Sequence, residues 1–207
     1  MLIVTEEQRG HILDLCRWYG PTLGLNDLEP VGARVLYAIF SNERYNAANA
    51  VPRIEAAYCP NGRYYVPTLY AKYGVAIAKS YSNWQIMALV AHELGYRGNP
   101  EDLDNDDVAI TWVCELMRKR ILRMSRKDDS KATLAEVLDA YNSGNPRDGN
   151  VPLAYITKGQ TAYTDSESLF AAHPINPCPA LGPVPSDYAK AYRIEALLAS
   201  MQGREWP

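Results

Sequence analysis

The stretch LDAYNSGNP, residues 138–146, ends an apparent helix on Tyr141-Asn142 and then runs into Ser, Gly, Asn and Pro. Gly144 and Pro146 account for the stop, because glycine tolerates a left-handed cap and proline cannot continue the hydrogen-bond ladder. They do not account for a large amphipathic Tyr141 beside Asn142 where the helix opens into a loop. One reading is a capped helix end with a half-buried tyrosine. The other is a binding wall at the helix mouth.

Helical patterning extends outward from this stretch in both directions. Residues 5–18 place Ile12, Leu13, Leu15 and Cys16 on one side, behind Thr5 as a cap. NDLEPVGARVLYAIFSNER (26–44) gives a second helix that takes Pro30 in its first turn. Residues 45–70 are rich in Asn, Pro and Tyr and read as loop, with a short helix near 52–58. A third helix is predicted over 84–94, ended by Gly95. NDDVAITWVCELMRKRILRM (105–124) gives the longest and most buried helix. KATLAEVLDAYN and PLAYITKGQ supply a fifth and a sixth. After about Gly159 the texture changes to the proline-rich AAHPINPCPALGPVPS, and SDYAKAYRIEALLASM (186–201) returns to helical periodicity. Strand signals are weak, so the fold class is mainly α with irregular loops. The expected organisation is an N-terminal helix packing on the core (1–28), a main domain (29–160), and a Pro-rich arm plus C-terminal helix (161–207).

Composition narrows the function. The 207 residues are 47% hydrophobic and 22% charged, which suits one globular domain with a sizeable core. Fifteen Tyr and four Trp stand against two Phe, a bias that suits grooves for sugars, peptides or bases. The net charge of −3 argues against a dedicated nucleic-acid binder, and the basic run MRKRILRMSRK (117–127) reads as the polar face of an amphipathic helix. Cys16, Cys59, Cys114 and Cys178 form no C-x-x-C pair, and His11, His92 and His173 lack ligand spacing, so no metal is expected. Two disulfides or four free thiols both fit. The N-terminus is too short of apolar residues for a signal peptide, and no window reaches membrane-spanning length. The chain is then made in the cytoplasm or begins after a removed leader.

Glu43 ends the second helix, after an apolar stretch and before a polar loop. A carboxylate there sits at the unfavourable end of the helix dipole, and burial against Phe40 or Tyr45 would raise its pKa further. A carboxyl group kept protonated near neutral pH is what a general acid for glycosidic cleavage requires. An ion pair with Arg44 or Arg53 is the structural alternative. In SYSNWQIM (80–87), Ser80, Ser82 and Asn83 can cap the third helix and Gln85 projects an amide. Gln85 and Asn142 can each donate and accept toward N-acetyl and hydroxyl groups.

The order of these elements resembles the lytic transglycosylases of the soluble-lytic, goose-lysozyme-like superfamily, across roughly residues 31–158. That family is marked by a Glu-Ser, a Gly-Leu-Met-Gln and an Ala-Tyr-Asn. Glu43 matches the acid, Ser82 takes the Gly place and Gln85 the Gln, and Ala140-Tyr141-Asn142 match outright. VPLAYITK resembles the segment whose tyrosine, here Tyr155, lines the cleft. Arg44 replaces the usual Ser, Ser82 and Trp84 replace Gly and Met, and VPRIEAAY resembles a subgroup with an Arg-x-Glu. The resemblance implies a lysozyme-like fold and cleavage of the β-1,4 bond between N-acetylmuramic acid and N-acetylglucosamine in peptidoglycan. Glu43 would protonate the leaving oxygen, then take the muramyl 6-hydroxyl proton, giving 1,6-anhydro ends. Ser82, Gln85, Tyr141, Asn142 and Tyr155 would hold the sugar, Tyr141 also lying close to the acid. No cofactor is implied. The partner is the glycan strand at the cell wall, in the periplasm or outside the cell, reached by phage delivery or export.

Two rivals remain open. An inverting muramidase would use a second carboxylate about 6.5–9.5 Å from the acid. Glu55 is the best candidate, with Glu93 and Asp104 behind it, although Arg53 also suits it as an ion-pair partner. A non-catalytic saccharide-binding or structural module of a phage particle or secretion machine is the other, if Arg44 holds Glu43 ionised.

Overall fold

A computed structural model describes residues 5–23, 25, 31–44, 52–125, 132–144 and 150–178. Pro30, residues 45–51 and the helix expected over 186–201 lie outside them. The chain divides into one compact unit, Met1–Asn176, and another, Pro177–Pro207. The description below concerns the first.

In chain order the elements are α1 (Glu6–Tyr19), α2 (Gly32–Glu43), β1 (Arg53–Ile54), α3 (Pro67–Tyr73), β2 (Lys79–Tyr81), β3 (Ile86–Met87), α4 (Ala88–Glu93), α5 (Asp106–Ser125), α6 (Leu134–Ser143) and α7 (Leu153–Ala172). The fold is mainly helical, as the periodicity predicts, with one small sheet. None of the described helices is long and apolar enough to cross a membrane.

α2 is the central helix. Val35, Leu36, Ala38 and Ile39 have no exposed surface, and α1, α6 and α7 pack around them. Removing each large side chain from water is worth about 1.5–3 kcal/mol. α1 starts on a reciprocal cap, Thr5 Oγ1 accepting from Gln8 N at 3.1 Å and Thr5 N donating to Gln8 Oε1 at 3.2 Å. It buries the predicted Ile12, Leu13, Leu15 and Cys16. Where α1 ends beside the start of α2 the backbones touch: a Cβ on Gly32 would lie 2.1 Å from Gly20 O. Only glycine allows that approach.

The three short strands are antiparallel in the order β1-β2-β3, pairing Arg53↔Ser80 and Ser80↔Met87. The sequence predicts helix at 84–94 and near 52–58; the structure shortens both, to Ala88–Glu93 and to a 3-10 turn over Ala56–Tyr58. Ser82 and Gln85 have φ of 63° and 50°, left-handed values that a helix start cannot contain, so residues 82–85 turn β2 into β3. The indole of Trp84 fixes that turn, fully buried and donating from Nε1 to Leu36 O at 3.1 Å. Helix resumes only at Ala88. Residues 53–54 are strand, followed by a 3-10 turn over Ala56–Tyr58.

The expected boundary at residue 160 falls in the middle of α7, a continuous helix of 20 residues. Its exit is tied to α1: Arg17 donates to Phe170 O at 2.7 Å, and Asn176 Nδ2 to Asp14 Oδ2 at 2.8 Å. Asp14 Oδ1 lies 2.7 Å from His173 Nε2. Helix α5 is equally long, and its basic run is more than a solvated face. Arg118 pairs with Glu115 at 2.9 Å, and Arg120 reaches the end of α6. All four cysteines are free thiols, Cys16 and Cys114 in the core.

Candidate functional site

A cleft of about 260 Å³ opens between the sheet and the ends of α2, α5 and α6. Sheet register builds one wall, because Arg53, Ser80 and Met87 lie side by side across the three strands and all face it. The other wall is the C-terminal end of α6, where Tyr141, Asn142 and Gly144 line the cleft. Thr133 caps the start of α6, and Gly144 closes its end with φ 83°. Arg120 Nη1 donates to Ala140 O at 2.5 Å and Tyr141 O at 2.8 Å, placing a cation on the last carbonyls of that helix.

Glu43 is the last residue of α2 and lines the cleft. Burial pushes its pKa up; the Tyr155 hydrogen bond and then the charges of Arg53 and Lys158 pull it down, while Glu55 pushes it up again. Tyr155 Oη donates to Glu43 Oε1 at 2.7 Å. One turn along α7, Lys158 Nζ donates to Ser41 O at 2.5 Å and Asn42 O at 3.1 Å. Asn42 Nδ2 donates to Tyr155 O at 3.0 Å. Gly159 permits this contact, since a Cβ there would sit 2.6 Å from Leu138 Cδ1 and 2.8 Å from Asn42 Nδ2. Among the described residues, the hydroxyl that holds the acid comes from α7.

The remaining predicted residues divide by position. Tyr141 is buried, its Oη donates to Trp84 O at 2.5 Å, and it is close enough for Glu43 to raise its pKa after burial has done so. Asn142 is exposed on the cleft. Gln85 lines the cleft, but its amide is used within the chain: Oε1 accepts from Ser80 Oγ and Nε2 donates to Ser82 O, both at 2.9 Å. Ser82 is not among the lining residues; its Oγ accepts from Trp84 N at 3.2 Å and stabilises the turn.

Glu55 shares the cleft and is ion-paired, Arg53 Nη2 lying 2.5 Å from its Oε1. Glu93 and Asp104 are exposed and do not line it, and Asp104 instead accepts from Ser82 N at 3.4 Å. Arg44 lies over the Phe40 ring, 5.9 Å from its centroid, and its charge acts on Asp106. Among the described residues, no three His, Cys, Asp or Glu side chains gather as a metal site.

Sequence reasoning missed Asn42, Tyr58, Arg120 and Lys158. Lys158 had a signal, its place one helical turn after Tyr155, whereas Tyr58 and Arg120 reach the cleft only through tertiary packing. No family model, curated protein or solved structure matches this chain.

Proposed function

We propose that this protein is a peptidoglycan lytic transglycosylase of lysozyme-like architecture. It cleaves the N-acetylmuramic acid–β-1,4–N-acetylglucosamine bond at the cell wall. The observation that carries this reading is Glu43: a carboxyl at a helix C-terminus, with its pKa raised by burial, on a polar cleft and oriented by the Tyr155 hydroxyl. Such a group donates a proton near neutral pH.

Glu43 protonates the leaving glycosidic oxygen while the acetamido group of the substrate stabilises the developing oxocarbenium ion. The carboxylate then accepts the muramyl 6-hydroxyl proton as that oxygen closes on the anomeric carbon, leaving a 1,6-anhydro end. Tyr141 shapes the cleft through the turn it holds, Asn142 offers its amide to the sugar, and Gln85 and Ser82 act by fixing the sheet edge. Glu55 favours a second reading, hydrolysis by an activated water, because it lies on the same cleft and acts on Glu43. Its carboxylate is engaged by Arg53 and would have to leave that ion pair to activate a water.

Mass spectrometry of soluble muropeptides released from purified peptidoglycan separates the two. Products lighter by one water than reducing muropeptides are expected. Reducing ends would transfer the reading to hydrolysis with Glu55, and no release would overturn both.

A further inference from the structure

Residues 52–75 bury no side chain, yet this segment carries five tyrosines: Tyr58, Tyr64, Tyr65, Tyr70 and Tyr73. A lobe without a core of its own is held by ring contacts and by β1. Tyr58 and Tyr64 stack with centroids 5.2 Å apart at 34°, and the Arg63 guanidinium lies 4.4 Å from the centroid of Tyr64. Arg63, Tyr64 and Tyr58 thus form one contiguous cluster, of which Tyr58 is the member on the cleft.

Three observations point to an occupant. First, the cleft of about 260 Å³ is smaller than the 300–1,000 Å³ usual for an enclosed drug-sized ligand, so a polymer in it must also lie on its rim. Second, Tyr58 lines the cleft with a half-buried ring. Third, Glu55 and Arg120, two of the charged groups near Tyr58, line the same cleft. A ring with an apolar face and a polar edge matches a pyranose, which has the same two kinds of surface.

We propose that Tyr58 is a saccharide-stacking platform that extends the Glu43 cleft along the glycan strand, stiffened from behind by Tyr64 and Arg63. This rests on the saccharide reading of the cleft. Tyr58 lies between Glu43 and Ser80, at the end of VPRIEAAY, and is not one of the residues matched to the family's site. Pre-stacking the ring lowers the side-chain entropy lost on binding.

The Glu43→Gln protein, able to bind without cleaving, is titrated calorimetrically with a chitin hexasaccharide. Tyr58→Ala in that background is expected to weaken binding about tenfold, and Tyr58→Phe to retain most of it. Melting temperatures should change little, because residue 58 is outside the core. Unchanged affinity in Tyr58→Ala overturns the platform while leaving the cleft reading in place. A loss in Tyr58→Phe equal to that in Tyr58→Ala makes the hydroxyl the contact and also overturns it. No binding by the Glu43→Gln protein overturns the platform together with the saccharide reading.

Discussion

Tyr141→Phe removes a single oxygen, but that oxygen donates to the carbonyl of Trp84 at 2.5 Å inside the protein. Both residues are buried, Tyr141 at 8% and Trp84 at 0% exposure, so the stranded carbonyl has no route to water. Leaving one buried acceptor unsatisfied costs about 1–3 kcal/mol. In a chain of this size each kcal/mol lowers Tm by about 2–4 °C, so the variant should melt about 2–12 °C below the parent. From the sequence alone the substitution deletes only a hydroxyl and leaves the fold intact. The buried hydrogen bond adds a stability cost to that expectation. Activity should fall as well, because the carbonyl belongs to the turn that presents Gln85, and Tyr141 itself lines the cleft. The assay is a circular-dichroism melt beside muropeptide release, with Asn142→Ala as the control. Asn142 is exposed, so that variant should stay within about 0.5 kcal/mol of the parent in stability while still losing activity. A Tyr141→Phe melt within about 1 °C of the parent would refute the reasoning, since the Trp84 carbonyl would then not depend on this donor.

Glu43→Gln should abolish muropeptide release and raise stability at neutral pH. The folded pKa of Glu43 lies above its ordinary 4.5, so its favourable contribution is complete below that value and lost as pH rises through the folded pKa. The variant and the parent should therefore melt alike in acid and diverge near pH 7, by about 1.4 kcal/mol for each tenfold weakening of the acid on folding; divergence in acid instead would contradict the sign. Lys158→Met removes a charge that holds the Glu43 pKa down, so the alkaline limb of the pH–rate profile should move to higher pH. A move to lower pH would show that Lys158 acts otherwise. Gly159→Ala forces a methyl to 2.6 Å from Leu138 Cδ1. Overpacking of about 1–3 kcal/mol against a helix-propensity gain of about 1 kcal/mol leaves a net loss of up to about 2 kcal/mol, read by chemical denaturation. A more stable variant would mean that α7 and α6 can move apart.

What the sequence discloses is what local chemistry decides. Thr5 and Thr133 announce their helices because a capping box needs only residues three apart. Glu43 is legible as a helix-end carboxylate for the same reason. The turn at 82–85 is not, because its left-handed serine and glutamine contradict the propensities of both residues. It is held by long-range contacts, among them the Trp84 indole buried against α2, 48 residues away, and the Tyr141 hydroxyl. The role of Gln85 changes with it: an amide on a helix's first turn would face a ligand, but on this turn it ties Ser80 to Ser82. Two-residue strands such as β1 and β3 are too short to display alternation, so sequence patterning assigns the wall they build to loop and helix.

The groups around Glu43 also bear on why one carboxyl could serve both halves of the reaction. Burial alone would hold the acid protonated so firmly that it could not readily give its proton up. An acid paired tightly with arginine would be ionised and have none to give. Here burial is the largest influence, and the Tyr155 hydroxyl and the charges of Arg53 and Lys158 oppose it. Arg53 is itself bound to Glu55, which limits how far it stabilises the Glu43 carboxylate. The two protonation states are thereby drawn closer in free energy than either extreme would leave them. Efficient general acid–base exchange favours that condition, because the group must be occupied by a proton before bond cleavage and able to bind one after it. Glu55 then acts on the proposed chemistry through the guanidinium it shares with the acid, and removing it should free Arg53 to depress the Glu43 pKa.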